Sequence, residues 1–164
     1  MMWKVKLLMK KQKKMFDCIT KTWNPLGGVC PHNCVYCWAK KLAERRKLTK
    51  YTGKYRLIEK ELHRKFNKDD FVFVCDMLDL FAHNVPAQYI IKILNIIEQH
   101  SDATFLLLTK NPARYMEFNI PPNCICGATI ETDLYPNRVS HALPPLVRVW
   151  ALRQLKHPRK MVSI

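Results

Sequence analysis

The stretch Phe71-Val72-Phe73-Val74-Cys75-Asp76 decides the fold class, because five apolar residues in succession end on an acid. A strand of that kind is covered on both faces, as the strands of parallel sheets are. Downstream, Pro86 suits the first turn of a helix, and Ile90, Ile93, Leu94 and Ile97 recur at i, i+3, i+4 and i+7 as one buried face. A second apolar run covers 103–109, and Asn111-Pro112 reads as an N-cap followed by a proline at the first helical position. Another strand is expected over 125–132, Pro144-Pro145 opens a helix to about residue 156, and 160–164 forms one more strand. Strand alternating with helix at this spacing predicts βαβ units, right-handed crossovers and a parallel sheet. The fold class is α/β.

Upstream the pattern is less regular. A short strand over 18–22 runs into the breaker Asn24-Pro25 and the loop Gly27-Gly28. A helix is expected over 38–48, and 49–68 alternates charged and apolar positions in an excursion that ends in a helix. Residues 1–14 are basic and lack a period, so the chain divides into a basic N-terminal extension, 1–14, and a core, 15–164. At 164 residues and 48% hydrophobic composition that core is of ordinary size. No apolar run approaches the roughly 18 residues that span a bilayer, and lysines interrupt the N-terminus, which speaks against a signal peptide. Seven cysteines, an odd number with three bunched together, fit a reducing interior better than a disulfide framework. The expected location is cytoplasmic, with no membrane partner.

Charge is distributed unevenly. Residues 1–68 carry 19 of the 28 Lys and Arg and four acids, whereas 69–164 carry nine of each, so the whole net charge of +15 lies in the first part. A concentrated basic field favours phosphate-rich partners and raises their encounter rate. A solvated lysine-rich surface accounts for the same numbers.

The chemistry-bearing motif is Cys30-Pro31-His32-Asn33-Cys34-Val35-Tyr36-Cys37, a C-x3-C-x2-C loop. Three thiolates are one short of the four that close a structural zinc site or saturate an iron–sulfur cube. A cluster held by three keeps one iron open for an exogenous ligand. Zinc would need a fourth ligand from His32, Cys18, Cys75, Cys124 or Cys126, none of which lies at finger spacing.

With Tyr36 before the third cysteine, this loop resembles that of the radical S-adenosylmethionine superfamily. Further stretches narrow the likeness: Thr22-Trp23-Asn24-Pro25-Leu26, Cys37-Trp38-Ala39, Val74-Cys75-Asp76-Met77-Leu78-Asp79, Leu108-Thr109-Lys110-Asn111-Pro112, Gly127-Ala128-Thr129-Ile130-Glu131 and Met161-Val162-Ser163-Ile164. In that order they resemble a phage-associated radical S-adenosylmethionine family of unassigned substrate, itself similar to spore photoproduct lyase. The resemblance implies a partial (β/α) barrel of about five parallel strands with outer helices, ending inside its fifth strand. It implies a [4Fe–4S] cluster on Cys30, Cys34 and Cys37, and S-adenosylmethionine cleaved reductively to a 5′-deoxyadenosyl radical that abstracts hydrogen from an unidentified substrate.

Ligands of parallel β/α folds lie at the carboxyl ends of the strands, where these motifs fall. The resemblance places Tyr36 against the adenine, Asp76 and Asp79 near the methionine ammonium, and Thr129 and Glu131 at the ribose hydroxyls. Lys110 is a candidate for the cofactor carboxylate or a substrate phosphate. Residue parity turns Cys124 and Cys126 away from Thr129 and Glu131, as packing residues, and Cys75 away from Asp76. An electron donor of flavodoxin or ferredoxin type is implied. Charge adds nucleic acid as a candidate partner, and an unpaired last strand adds a completing chain or an oligomer. The alternative function is a metal-stabilised nucleic-acid-binding protein with zinc or a non-catalytic cluster; a small ferredoxin would not need the strand-end series.

Overall fold

The computed structural model of the chain describes residues 16–131 and 139–164. The basic extension 1–14 lies outside the described residues. In chain order the elements are β1 (Lys21–Trp23), β2 (Leu26–Gly27), α1 (Trp38–Arg45), β3 (Arg56–Leu57), α2 (Glu59–Leu62), β4 (Phe71–Val74), α3 (Ala87–Glu98), β5 (Thr104–Thr109), β6 (Cys124–Thr129), α4 (Pro145–Gln154) and β7 (Lys160–Ser163), with 3₁₀ turns at Thr49–Tyr51 and Pro112–Glu117.

β1, β4, β5, β6 and β7 form one parallel sheet in that order. Each strand lies beside its predecessor in the sheet, so each connection is a crossover to the next position along. Alternation of side chains sorts the strands into two faces. On one face Val72, Val74, Phe105, Leu107, Cys124, Cys126 and Ala128 join Ile90, Ile93, Leu94 and Ile97 of α3, Tyr115, and Leu152 of α4 in a continuous core. Trp23 closes the β1 end of this core, its ring centroid 5.2 Å from that of Phe66 and 6.2 Å from that of Phe105. On the other face Phe73 and Leu106 pack with Ile19 in a smaller group flanked by the half-buried Phe71, Leu108, Ile125 and Met161.

The apolar run at 71 and the four-residue stripe of α3 form as expected, the stripe being fully buried. Other boundaries differ. β1 covers Lys21–Trp23 rather than 18–22, because the strand is fixed by pairing Thr22 with Phe73 and Trp23 with Val74. Cys18 stays exposed in the preceding turn. α1 stops at Arg45, and the excursion 49–68 holds one helical turn, α2, and the two-residue strand β3 paired antiparallel with β2. β6 ends at Thr129, before Glu131. The crossover from β5 to β6 is a 3₁₀ segment, and Asn111 stands at its N-cap position without a side-chain capping bond. Its amide donates to the Phe81 carbonyl instead, at 3.1 Å. No helix among the described residues is long and apolar enough to cross a membrane.

Candidate functional site

The cysteine loop is anchored before it begins. A Cβ on Gly27 would lie 2.6 Å from the Lys50 carbonyl, and one on Gly28 (φ +131°) would lie 2.8 Å from the Tyr55 ring. Only glycine allows the 50–55 segment to close against β2 in this way. At its far end the loop runs into α1 with Cys37 as N-cap, its Sγ accepting from the Lys40 N–H at 3.3 Å. Cys30, Cys34 and Cys37 are free thiols and half-buried.

All three cysteines line a cavity of about 500 Å³. Its opposite wall is the carboxyl end of the sheet: Asp76 after β4, Thr109 at the end of β5 with Lys110 after it, and Thr129 at the end of β6 with Glu131 beyond it. Tyr36 and Trp38 stand on its rim. Every residue expected to bind metal or cofactor from the sequence borders this space, Asp79 included. A second cavity of about 510 Å³ shares the cysteines and is walled by α1 and residues 47–52. Among the described residues no three His, Cys, Asp or Glu side chains converge as a finished metal site.

Two of the strand-end residues sit in left-handed backbone, Cys75 at φ 55° and Glu131 at φ 73°. Left-handed backbone at non-glycine residues costs of order 1–3 kcal/mol and clusters at ligand sites. The conformation at Cys75 keeps its N–H on the Trp23 carbonyl at 2.7 Å while the thiol is buried in the core.

The family model described as protein of unknown function (DUF5131) matches residues 14–153, which hold the cysteine loop and the ends of β4, β5 and β6 at the cavity but not the end of β7, whose Ser163 also lines it. The chain belongs to the DUF5131 family. No curated protein and no solved structure matches it.

In this DUF5131 chain the polar residues are unequally committed. Asp79 is saturated: Oδ2 is 2.7 Å from His32 Nε2 and accepts the Lys110 N–H at 2.8 Å, while Oδ1 accepts the Phe81 N–H at 3.0 Å. Burial pushes its pKa up, but the His32 bond and charge and the Lys110 N–H outweigh burial and hold it below the ordinary carboxylate range. An ionised carboxylate only accepts, so Nε2 carries the proton between them. This knot joins the cysteine loop to the ends of β4 and β5. Asp76 is half-buried and accepts from the Asn24 amide; burial raises its pKa against that bond.

Glu131 is the most exacting group. Its Oε2 accepts from Arg148 Nη1 at 2.7 Å, and that nitrogen also donates to the Thr129 carbonyl at 2.8 Å. Its Oε1 lies 3.5 Å from Lys110 Nζ but has no hydrogen bond, although it is buried. Lys110 stands 5.6 Å from the Tyr36 ring centroid, and burial lowers its pKa despite the nearby Cys34 and Asp79. An orphaned buried carboxylate oxygen beside a cation marks a place where a donor is missing.

Sequence reading missed three members. Arg148 is 2% exposed, and its signal was a lone arginine in the apolar run Pro145-Leu146-Val147-Arg148-Val149-Trp150. In the sequence His32 reads as a possible zinc ligand and Asn24 as part of a breaker. Pairings between residues 47 and 52 positions apart leave no local signal.

Proposed function

We infer that the chain is a radical S-adenosylmethionine enzyme: Cys30, Cys34 and Cys37 hold a [4Fe–4S] cluster with one open iron, and the strand-end cavity receives the cofactor. The observation that carries this reading is the meeting of three free cysteines from one loop with the polar ends of three parallel strands around one cavity. The order β1-β4-β5-β6-β7 supports the finer architecture as well. Right-handed crossovers that always step to the next position put every connection on one face, as in a partial (β/α) barrel and unlike a doubly wound sheet.

The donor set suits the group. Three soft thiolates are iron–sulfur ligands, and the orphaned Glu131 Oε1 offers an acceptor to a hydroxyl donor such as a ribose. Zinc needs a fourth ligand, and His32 is turned into Asp79 instead. When bound, such a cluster and S-adenosylmethionine supply a 5′-deoxyadenosyl radical that takes a hydrogen atom from a substrate. The chain's own residues bind and orient. Thr129 and Glu131 offer oxygens to the ribose, the Tyr36 ring offers a face to the adenine, Asp76 attracts the ammonium and Lys110 the carboxylate. Asp79 and His32 act through the loop as positioning residues.

Burial and the nearby Asp79 push the Cys30 thiol up to about 12. Ligation requires thiolates, so loading releases protons and draws the three sulfurs together, which couples metal binding to the order of the loop. Anaerobic reconstitution tests the reading. About four iron and four sulfide per chain are expected, and each of Cys30→Ala, Cys34→Ala and Cys37→Ala should abolish them. One tightly held zinc with iron refused would contradict it.

A further inference from the structure

Helix α1 leaves the cysteine loop with an unusual outer face. Ala39 anchors the helix inward at 6% exposed, while Trp38 remains 42% exposed. Trp38, Lys41, Leu42 and Arg45, at i, i+3, i+4 and i+7, line a shallow groove of about 340 Å³. Trp38 lines the strand-end cavity too, so groove and cavity meet at its indole. Tyr36, 47% exposed, is a second aromatic on the same rim.

The charges around this face are uncompensated. From residue 40 to 47 the chain carries Lys40, Lys41, Arg45, Arg46 and Lys47 against Glu44 alone. Among the described residues none of these five cations makes an ion pair. Lys41 and Arg45 stand one turn apart, where like charges repel. An indole left in water between unpaired cations is a cost that folding does not require, and a ligand with both flat apolar faces and regularly spaced anions removes it.

We propose that the Trp38–Lys41–Arg45 face of α1 binds a single strand of nucleic acid, with a base stacked on Trp38 and the phosphate backbone led along Lys41 and Arg45. Single-strand sites combine cationic tracks with aromatic platforms in this way. A duplex keeps its bases stacked and would use the cations without the indole. Where the cavity works as inferred above, the same path brings a neighbouring nucleotide to its mouth past Tyr36. The binding face rests only on α1, and the substrate role rests on that reading.

The test is fluorescence anisotropy of the full chain with a labelled 20-nucleotide single strand and the matching duplex, with the loop loaded with iron–sulfide and unloaded. Running both states separates failure of the metal reading from failure of this one. The single strand should bind about tenfold tighter than the duplex at equal salt. Trp38→Ala should weaken it about tenfold, in the range that stacking on one aromatic supplies, and Trp38→Phe should restore most of the loss. The pair Lys41→Gln/Arg45→Gln should shallow the logarithmic salt slope by about 1.4, for two phosphate contacts on a single strand. Lys65→Gln/Lys68→Gln, the same charge change outside α1, should shallow it less. Equal affinity for duplex or heparin, no effect of Trp38→Ala, tighter binding of an acidic flavodoxin, or no binding at low salt would each overturn the proposal.

Discussion

On one face of the parallel sheet Val72, Val74, Phe105, Leu107, Cys124 and Cys126 are at most 2% exposed beneath α3, α4 and the Pro112–Glu117 turn. On the other face Phe71, Leu108, Ile125 and Met161 are only half-buried, and toward the carboxyl end the same rows carry Thr129 and then Glu131. The strands are shared, so the difference comes from side-chain parity and from where the crossovers lie. Stability is concentrated on the helix side, where close packing is unforgiving. The open side and its rim hold the left-handed Glu131, the buried ion pairs and the cysteine loop. Groups that would be costly in a sealed core are tolerated here because they meet at a cavity.

Substitutions on the two faces should separate them. Phe105→Ala should cost about 3–5 kcal/mol in urea unfolding, while Leu108→Ala, three positions further along β5 and on the open face where it lines the cavity, should cost less than about 2 kcal/mol. Equal losses would show that the two faces are packed alike. Next, Arg148→Met should cost about 3 kcal/mol by leaving Glu131 with Lys110 alone. Adding Glu131→Gln should recover part of that loss, and a double-mutant cycle measures the coupling. Strict additivity would remove the ion pair from the account.

The third prediction concerns pH. The folded pKa of Asp79 lies below its unfolded value, so its stabilisation is present above the unfolded value, near 3.9, and is lost as pH falls through the folded one. Asp79→Asn should cost about 1–3 kcal/mol at neutral pH, and the gap to the parent should close on acidification below about pH 4. A gap that widens in acid would contradict the sign. The smallest stability effect belongs to Thr129→Val, within about 0.5 kcal/mol. The same variant should weaken S-adenosylmethionine binding in equilibrium dialysis; unaltered binding would take Thr129 out of the site.

Much of the helix side is legible in the residues themselves. The run at 71 and the α3 stripe are patterns of period two and 3.6, set by neighbours a few positions apart. The parity that sends Cys124 and Cys126 into the core, away from Thr129 and Glu131, is equally local. β1 starts three residues later than the expected 18–22 strand because its register is set by β4, some 50 positions away, rather than by its own apolarity. The two-residue strands β2 and β3 are too short to leave a period. Asn111 carries the signature of a cap yet serves Phe81, since tertiary demand outweighed local preference. The cavity's membership was visible as residue types at strand ends, but Asp79's knot with His32 and Glu131's pairing with Arg148 arise only once the sheet has formed.

Under the proposed function the cysteine loop presents an open iron to S-adenosylmethionine within this cavity. Electron paramagnetic resonance of the anaerobically reconstituted, dithionite-reduced chain tests it most directly, recorded with and without S-adenosylmethionine. A reduced [4Fe–4S] signal is expected whose g values shift on adding S-adenosylmethionine, with the shift diminished in Glu131→Ala and 5′-deoxyadenosine accumulating in the parent. A reconstituted cluster whose spectrum is the same at saturating S-adenosylmethionine, with no 5′-deoxyadenosine formed, would contradict it.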